Sequence, residues 1–444
     1  MKIGIVGLGF VGLSFAAVLG SKGYSVIGVD TDKAKISKIR KGKAPFHEPK
    51  LDDTLQKALR NGLQITADLH PVVDQCDFIF ITVGTPQRED GSIDLSMIKQ
   101  VATKIGKFLA KTKSVPTIVV KSTVVPETTM KIVLPILEKE SKKKTGSGFG
   151  LVANPEFLRE TNAINDTISP HVVVIGGFDD RFMKRLGQFY AKFHKNIPII
   201  MTNPQTAEMI KYANNSFLAT KISFINQIAK ICEAIPGANV DDIAKTIGMD
   251  PRIGSLFLSA GPGYGGSCLP KDVKAIIDFS TRYGVSSPLL SAVESINREQ
   301  LLGMISVIKK KIGSLKGKTV TVLGLAFKPD TDDVRDSVSI KMIELLLKNK
   351  AIVVAHDPKA VENTRAIFNS RIRYAQSTRD ALRGSYCAII MTAWKQYADL
   401  GDSDFKLMKK RIVVDSRRLL AKKNLASDYY ALGIGIRHSN HPKN

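Results

Sequence analysis

A chain of 444 residues, 43% of them hydrophobic, is long enough to bury two or three cores, and it contains no run of 18 or more apolar residues to span a bilayer as a helix. The formal charge of +24 raises nucleic-acid binding as a class, yet the lysines are dispersed, with short clusters at 142–144 and 309–311 in surroundings that read as solvated surface or linker. A positive field of this kind suits an anionic small substrate better than a nucleic-acid backbone.

The first predicted element is the strand-length run KIGIVG (2–7), followed at once by Gly7, Gly9 and Gly12 in G-x-G-x-x-G and by apolar residues at helical spacing up to Lys22. Strand, turn and helix in that order form a dinucleotide cradle. The glycines permit a tight turn and close approach of a pyrophosphate, and the helix N-terminus, entered through Phe10 and Val11, carries favourable positive potential. The next run, SVIGVD (25–30), ends on Asp30, 18 residues after Gly12. A carboxylate there accepts hydrogen bonds from ribose hydroxyls and repels a 2′-phosphate, which selects NAD over NADP. Glycines also stand where a secretory leader needs a basic region and a small-residue cleavage site, so a cytoplasmic location is expected. Thiols rather than disulfides follow for Cys76, Cys232, Cys268 and Cys387, and no metal-ligand spacing appears among them.

Further apolar runs, DFIFITVG (77–84), TIVVKS (117–122), LVANPEF (151–157) and HVVVIGG (171–177), alternate with helical segments and predict an α/β fold with a doubly wound, Rossmann-type parallel sheet. From Thr206 to about Ile235 the apolar residues return at three- and four-residue steps, which predicts one amphipathic helix about 45 Å long. Such a helix can connect domains and offer the face of a homodimer. Beyond it, GPGYGGSCLPKD (261–272) gathers four glycines, a thiol, a lysine and a carboxylate, with Pro270 suited to a first helical turn. After the Lys/Gly-rich connection KKKIGSLKGK (309–318), strand-like runs resume in TVTVLG (319–324), AIVVAHDP (351–358), CAIIMTAW (387–394) and RIVVDSR (411–417). The expected organisation is a nucleotide-binding domain over 1–200, a central helical domain over 201–305 carrying Cys268 and the dimer face, and a C-terminal Rossmann-like α/β domain over 306–444.

Cys268 differs from the other thiols because its glycine-rich surroundings give it no core to fill. A helix beginning beside it, together with Lys271, would favour thiolate, and Asp272 would lie one turn further on the same face. A nucleophilic thiolate in an NAD enzyme suggests aldehyde chemistry. The thiol adds to give a thiohemiacetal, hydride loss gives a thioester, and water cleaves it.

Together with these, VGTP (83–86), KST (121–123), NPEFLRE (154–160), AEMIKYANNSFLATKISFIN (207–226), GMDPRIG (248–254), GGSCLPKD (265–272) and LGLAFKPDTDDVRDS (323–337) resemble, in order and over nearly the whole chain, the UDP-glucose/GDP-mannose dehydrogenase family. The resemblance implies two successive oxidations at C6 of a nucleotide sugar, with GMDPRIG closest to the members that make UDP-glucuronate from UDP-glucose. It implies Cys268 as nucleophile, Glu156 in thioester hydrolysis, Lys211 and Asn215 on the C6 oxyanion, Asp272 in water activation or proton uptake, and Thr123 in positioning that water. NAD contacts would come from Lys35, Thr85, Pro86, Thr123, Glu160, Lys271 and Arg335. The sugar nucleotide would be held by Glu156, Phe157, Leu158, Lys211, Asn215, Phe257, Leu258, Tyr264, Gly265, Phe327, Lys328 and Arg417, with Arg252 reaching across a dimer interface. The chain departs from the family pattern at Thr161 and Ser416, where glycine is usual, at Ser259, where some relatives carry a phosphate-facing lysine, and in MTAWKQY (391–397), which lacks the customary acids.

Two other readings compete. One is the same chemistry on a UDP-N-acetyl-hexosamine or GDP-mannose; the other is a sensor that binds NAD and nucleotide sugar without turnover. Retention of Cys268, Lys211, Asn215, Glu156 and Asp272 together argues against the sensor.

Overall fold

Residues 1–435 are described by a computed structural model, in which residues 1–214 and the residues from Asn215 onward form separate compact units. The first unit is built on eight strands: β1 (Lys2–Val6), β2 (Ser25–Val29), β3 (Gln64–Thr66), β4 (Phe78–Ile81), β5 (Thr117–Val120), β6 (Gly150–Ala153), β7 (Val173–Gly176) and β8 (Ile199–Thr202). Their order is β3-β2-β1-β4-β5-β6-β7-β8. The inner strands are rich in Val, Ile and Phe and buried on both faces, as a sheet covered by helices requires. β1 pairs in parallel with β2 on one side and β4 on the other, which makes its C-terminal end the point where the strand order reverses. The sheet is the expected doubly wound parallel one, with a single antiparallel junction where β6 meets β7 through Ala153 and Gly176. LVANPEF is also strand only to Ala153, since the proline that follows has no N–H to give a ladder.

Phe15, Phe189 and Phe193 pack with Phe78 and Phe80 of β4 and with Ile3, Ile5 and Val26 of β1 and β2 in one core. The ring pairs Phe15–Phe80 and Phe189–Phe193 fix its centre. The predicted long helix is present as Pro204–Ala234, 31 residues and about 46 Å. It starts where Asn203 accepts the Thr206 N–H at 2.8 Å with Pro204 in the first turn, and the division between the two units falls within it.

The second unit holds six strands: β9 (Thr319–Leu323), β10 (Ile352–His356), β11 (Arg373–Tyr374), β12 (Cys387–Ile390), β13 (Ile412–Asp415) and β14 (Asp428–Ala431). They form a sheet in the order β11-β10-β9-β12-β13-β14, parallel throughout. The helices Val240–Ile247, Leu269–Arg282, Pro288–Ile312 and Val338–Lys348 belong to the same unit. Lys309, Lys310 and Lys311, read as solvated surface or linker, form the last turn of Pro288–Ile312, where cations meet the negative end of the helix dipole; Lys309 and Lys310 are exposed. Among the described residues no helix is long and apolar enough to cross a membrane.

Candidate active site

The turn after β1 is shaped by its glycines. Gly7 has φ +101°, a conformation open to glycine, and a Cβ on Gly12 would lie 1.9 Å from the Gly7 carbonyl oxygen. A Cβ on Gly9 would meet nothing within 4 Å, so the helix Phe10–Ser21 presents its N-terminus to open space at that residue. Thr82 fastens the loop by donating to the Gly7 carbonyl at 2.7 Å. Asp30, just past β2, accepts the Leu8 N–H at 2.9 Å and the Asp32 N–H at 3.0 Å and pairs with Lys35 at 2.9 Å. Burial opposes its ionisation, but the Asp32 N–H, Lys35 and the Leu8 N–H together hold the carboxyl below its ordinary value. The open glycine, the helix end and the anchored carboxylate fit a dinucleotide with a free ribose 2′-hydroxyl. Thr85 donates to the Thr123 carbonyl at 2.7 Å, which joins two of the expected NAD-contact segments.

At the C-terminal ends of β5 and β6 lies a buried ion pair. Lys211 Nζ stands 3.2 Å from Glu156 Oε1, with both side chains under a tenth exposed, and the ammonium also lies 5.4 Å from the centre of the Phe157 ring. The other Glu156 oxygen accepts the Leu158 N–H at 2.5 Å. Thr123 and Lys211 line a cavity of about 10 Å³ together with Pro155 and Glu208. Glu160 is half-buried, and Thr161 beside it takes φ +66° while donating its N–H to Glu48 at 2.7 Å.

The second unit carries the thiol. Cys268 caps the helix Leu269–Arg282, its carbonyl accepts the Asp272 N–H at 2.9 Å, and its sulfur is exposed, 3.6 Å from Ser267 Oγ. The position combines access with a helix N-terminus. Burial pushes the Cys76 thiol up to about 12 and raises Cys232 and Cys387 as well, as core sulfurs. Asp272 is buried and accepts from Asn215 at 2.6 Å and from Lys271. Lys271, within one helical turn of the thiol in sequence, pairs with Asp272.

The loop before Cys268 is rigidly held. Tyr264 is buried, its hydroxyl donating to Glu294 at 2.5 Å and its N–H to Asn297 at 2.7 Å, while Leu258 is buried and Phe257 adopts φ +66°. Any side chain at Gly265 would meet the Asp336 carbonyl oxygen at 2.5 Å, and one at Gly266 the Phe327 ring at 2.8 Å. Lys328 lies 5.7 Å from that same ring. Arg417 donates to the Met391 carbonyl at 2.8 Å, and a Cβ on Gly261 would lie 2.8 Å from its guanidinium. Burial and the neighbouring Arg418 charge pull the Arg417 guanidinium down to about 10, so a phosphate anion there would find a poorly hydrated partner. Ser416 replaces the family glycine without strain, its hydroxyl donating to the Ile390 carbonyl at 2.6 Å. Arg252 and Arg335 are exposed and clasp Asp250 and Asp333. Each unit therefore gathers its own share of the expected residues: Glu156, Lys211 and Thr123 in the first, Asn215, Asp272 and Cys268 in the second. Sequence reasoning passed over Lys121 and Glu208, which are buried beside Glu156 and Lys211, because the burial of a polar residue after a strand or within a helix has no signature in one sequence.

Three family models match the chain, all from one family: its NAD binding domain over residues 1–194, its central domain over 205–299 and its UDP binding domain over 321–422. The UDP-glucose 6-dehydrogenase AglM of Haloferax volcanii is 41% identical over 435 residues, 97% of this chain and 100% of the relative. The structure of a UDP-glucose dehydrogenase from Pyrobaculum islandicum is similar at a TM-score of 0.92 and 34% identity, covering 98% of each chain. That of a UDP-D-ManNAc dehydrogenase from Pyrococcus horikoshii is similar at 0.87 and 25% identity, covering 98% of this chain and 100% of the other.

Proposed function

The chain belongs to the UDP-glucose/GDP-mannose dehydrogenase family and is an NAD-dependent nucleotide-sugar 6-dehydrogenase, and from that premise we propose that it oxidises UDP-glucose to UDP-glucuronate through a thioester on Cys268. The observation that carries the covalent route is the thiol itself: of the four cysteines, all among the described residues, only Cys268 is exposed, and it sits at the head of a 14-residue helix. The names of the relatives in Haloferax and Pyrobaculum favour UDP-glucose as substrate, while the Pyrococcus relative keeps a UDP-N-acetyl-hexosamine as the alternative outcome.

Bound NAD supplies the hydride acceptor for both oxidations. Lys211 and Asn215, four residues apart on one helix, are a cationic and a neutral donor suited to the oxyanion at C6. After the first oxidation the Cys268 sulfur bonds to the aldehyde carbon, and loss of hydride from that carbon leaves a thioester. Glu156 then takes a proton from water as the water oxygen bonds to the acyl carbon; the C–S bond breaks and the thiolate is regenerated. Thr123 positions that water, and Asp272, bonded to Asn215 and Lys271, receives or returns the remaining proton. In this reading residues 1–200 bind NAD through Gly7, Gly9, Gly12 and Asp30, 201–305 carry the cysteine, and 306–444 hold the uridine diphosphate through Phe327, Lys328 and Arg417.

The protein works as a homodimer in the same reading. Phe217, Phe224 and Ile231 are about half exposed or more at seven-residue spacing on the long helix, an apolar stripe that a second copy of the same helix can match about a two-fold axis. A panel of UDP- and GDP-sugars assayed for NADH tests the substrate: UDP-glucose is expected to give two NADH per acid formed, with Cys268→Ser forming no acid. Faster turnover of a UDP-N-acetyl-hexosamine would move the assignment to the alternative substrate.

A further inference from the structure

Within the second unit the helices Leu269–Arg282, Pro288–Ile312 and Val338–Lys348 flank a cleft of about 540 Å³, the size of a site for one small molecule. Its lining is of two kinds. Lys274, Arg298, Lys341 and Lys348 bring cations to it from all three helices, against the carboxylates of Glu294 and Glu344. Glu294 already accepts the Tyr264 hydroxyl at 2.5 Å, and Lys341 is paired with Asp336 at 2.9 Å. Among the described residues Lys274, Arg298 and Lys348 have no carboxylate partner, so the cleft carries a surplus of positive charge that an anion would neutralise. The rest of the wall is apolar: Leu301 and Val338 are buried, Leu345 is half-buried, and Leu302 is 50% exposed. Unpaired cations beside an apolar surface suit one molecule that has both an anionic head and a hydrocarbon body. None of these cations belongs to the cofactor, nucleotide or catalytic residues named above.

We propose that this cleft binds a soluble amphiphilic phosphate, its head among Lys274, Lys341 and Lys348 and its hydrocarbon body on Leu301, Leu302 and Leu345, and that occupancy loosens the loop leading to Cys268. The cleft and the loop share their supports. Asn297, which lines the cleft beside Glu294, accepts the Tyr264 N–H at 2.7 Å and donates to the Tyr264 carbonyl at 3.0 Å. Val338, on the opposite wall, also abuts the loop: a Cβ on Gly265 would lie 2.5 Å from the Asp336 carbonyl oxygen and 3.3 Å from the Val338 nitrogen. A phosphate in the cleft competes with Asp336 for the Lys341 ammonium, so binding works against an ion pair at the turn where Asp336 takes φ +48°. The cations line a cleft sized for one molecule instead of a flat face, which favours a soluble ester over a membrane headgroup.

Calorimetry with octyl phosphate below its critical micelle concentration tests the site, with NAD and UDP in excess to fill the other phosphate sites. One molecule is expected to bind per chain, and inorganic phosphate and octanol about tenfold more weakly or less, since each offers half of the recognition. The double substitution Lys274→Glu, Lys348→Glu is expected to weaken octyl phosphate by about tenfold or more while turnover stays within about twofold. Leu302→Asp, at an exposed position of the apolar wall, has the same effect and serves if the double variant does not fold. The loop is read without turnover, through alkylation of the exposed Cys268 by iodoacetamide, so this measurement stands whether or not that thiol is the nucleophile. Octyl phosphate is expected to speed the alkylation about threefold in the parent and not in the double variant. Equal affinity for inorganic phosphate, parent affinity in the folded variants, or capture by phosphatidic acid vesicles in place of octyl phosphate overturns the site. Binding at an unchanged alkylation rate overturns the link to the loop.

Discussion

Glu156 and Lys211 illustrate how much a single side chain decides in this protein. Each is nearly inaccessible to solvent, and each is the other's ion-pair partner at 3.2 Å. Lys211→Met removes one partner and strands the other, and it is expected to cost about 3 kcal/mol in urea unfolding and to lower kcat by about two orders of magnitude. His194 gives a signature with pH. Burial lowers its imidazole from the ordinary value near 6.5 to about 4, so the unfolded chain binds a proton in that window that the native chain refuses. The stability it allows is present above about pH 6.5 and lost as pH falls towards 4. Glu208 has the opposite sign: burial raises it to about 7, and the stability it confers below its ordinary value of 4.5 is lost as pH rises through 7. His194→Phe should therefore flatten the acid side of the stability curve measured by denaturant unfolding, leaving the neutral side unchanged. Cys268 was legible among four cysteines because glycines flanked it; Lys121 and Glu208 were not, because what buries them comes from strands and helices distant in sequence.

At the scale of elements, the dinucleotide turn separates packing from binding. Gly12 has the Gly7 carbonyl where a Cβ would go, whereas Gly9 has open space. Gly12→Ala is thus expected to lower the unfolding temperature as well as NAD binding. Gly9→Ala should keep the parent unfolding temperature and raise KM for NAD about tenfold, by standing where the pyrophosphate must approach. Equal loss of stability in both variants would contradict this division. The strands that bury both faces, β1, β4, β5 and β12 among them, were readable as apolar runs. The edge strands β3 and β11 were not, being three and two residues long and partly exposed. Thr161 shows a limit of another kind. The backbone keeps the left-handed turn that glycine would favour, at φ +66°, although the residue is β-branched, so the turn is imposed by its surroundings, including the bond to Glu48.

For the whole molecule, the exposed stripe of the long helix sets the expected assembly. Phe224→Glu places a charge in the middle of Phe217, Phe224 and Ile231, and in sedimentation it is expected to convert a dimer to monomers at micromolar concentration. A parent that sediments as a monomer would remove the dimer from the account. All these scales bear on the proposed chemistry of one sulfur, that of Cys268. It is tested most directly by mixing Glu156→Gln with NAD and UDP-glucose, quenching, and locating any covalent sugar nucleotide by mass spectrometry. The account predicts an acyl adduct on the Cys268 peptide that accumulates as NADH is released and is absent in Cys268→Ser. Release of two NADH per sugar by the Cys268→Ser variant, or an adduct carried by another residue, would contradict it.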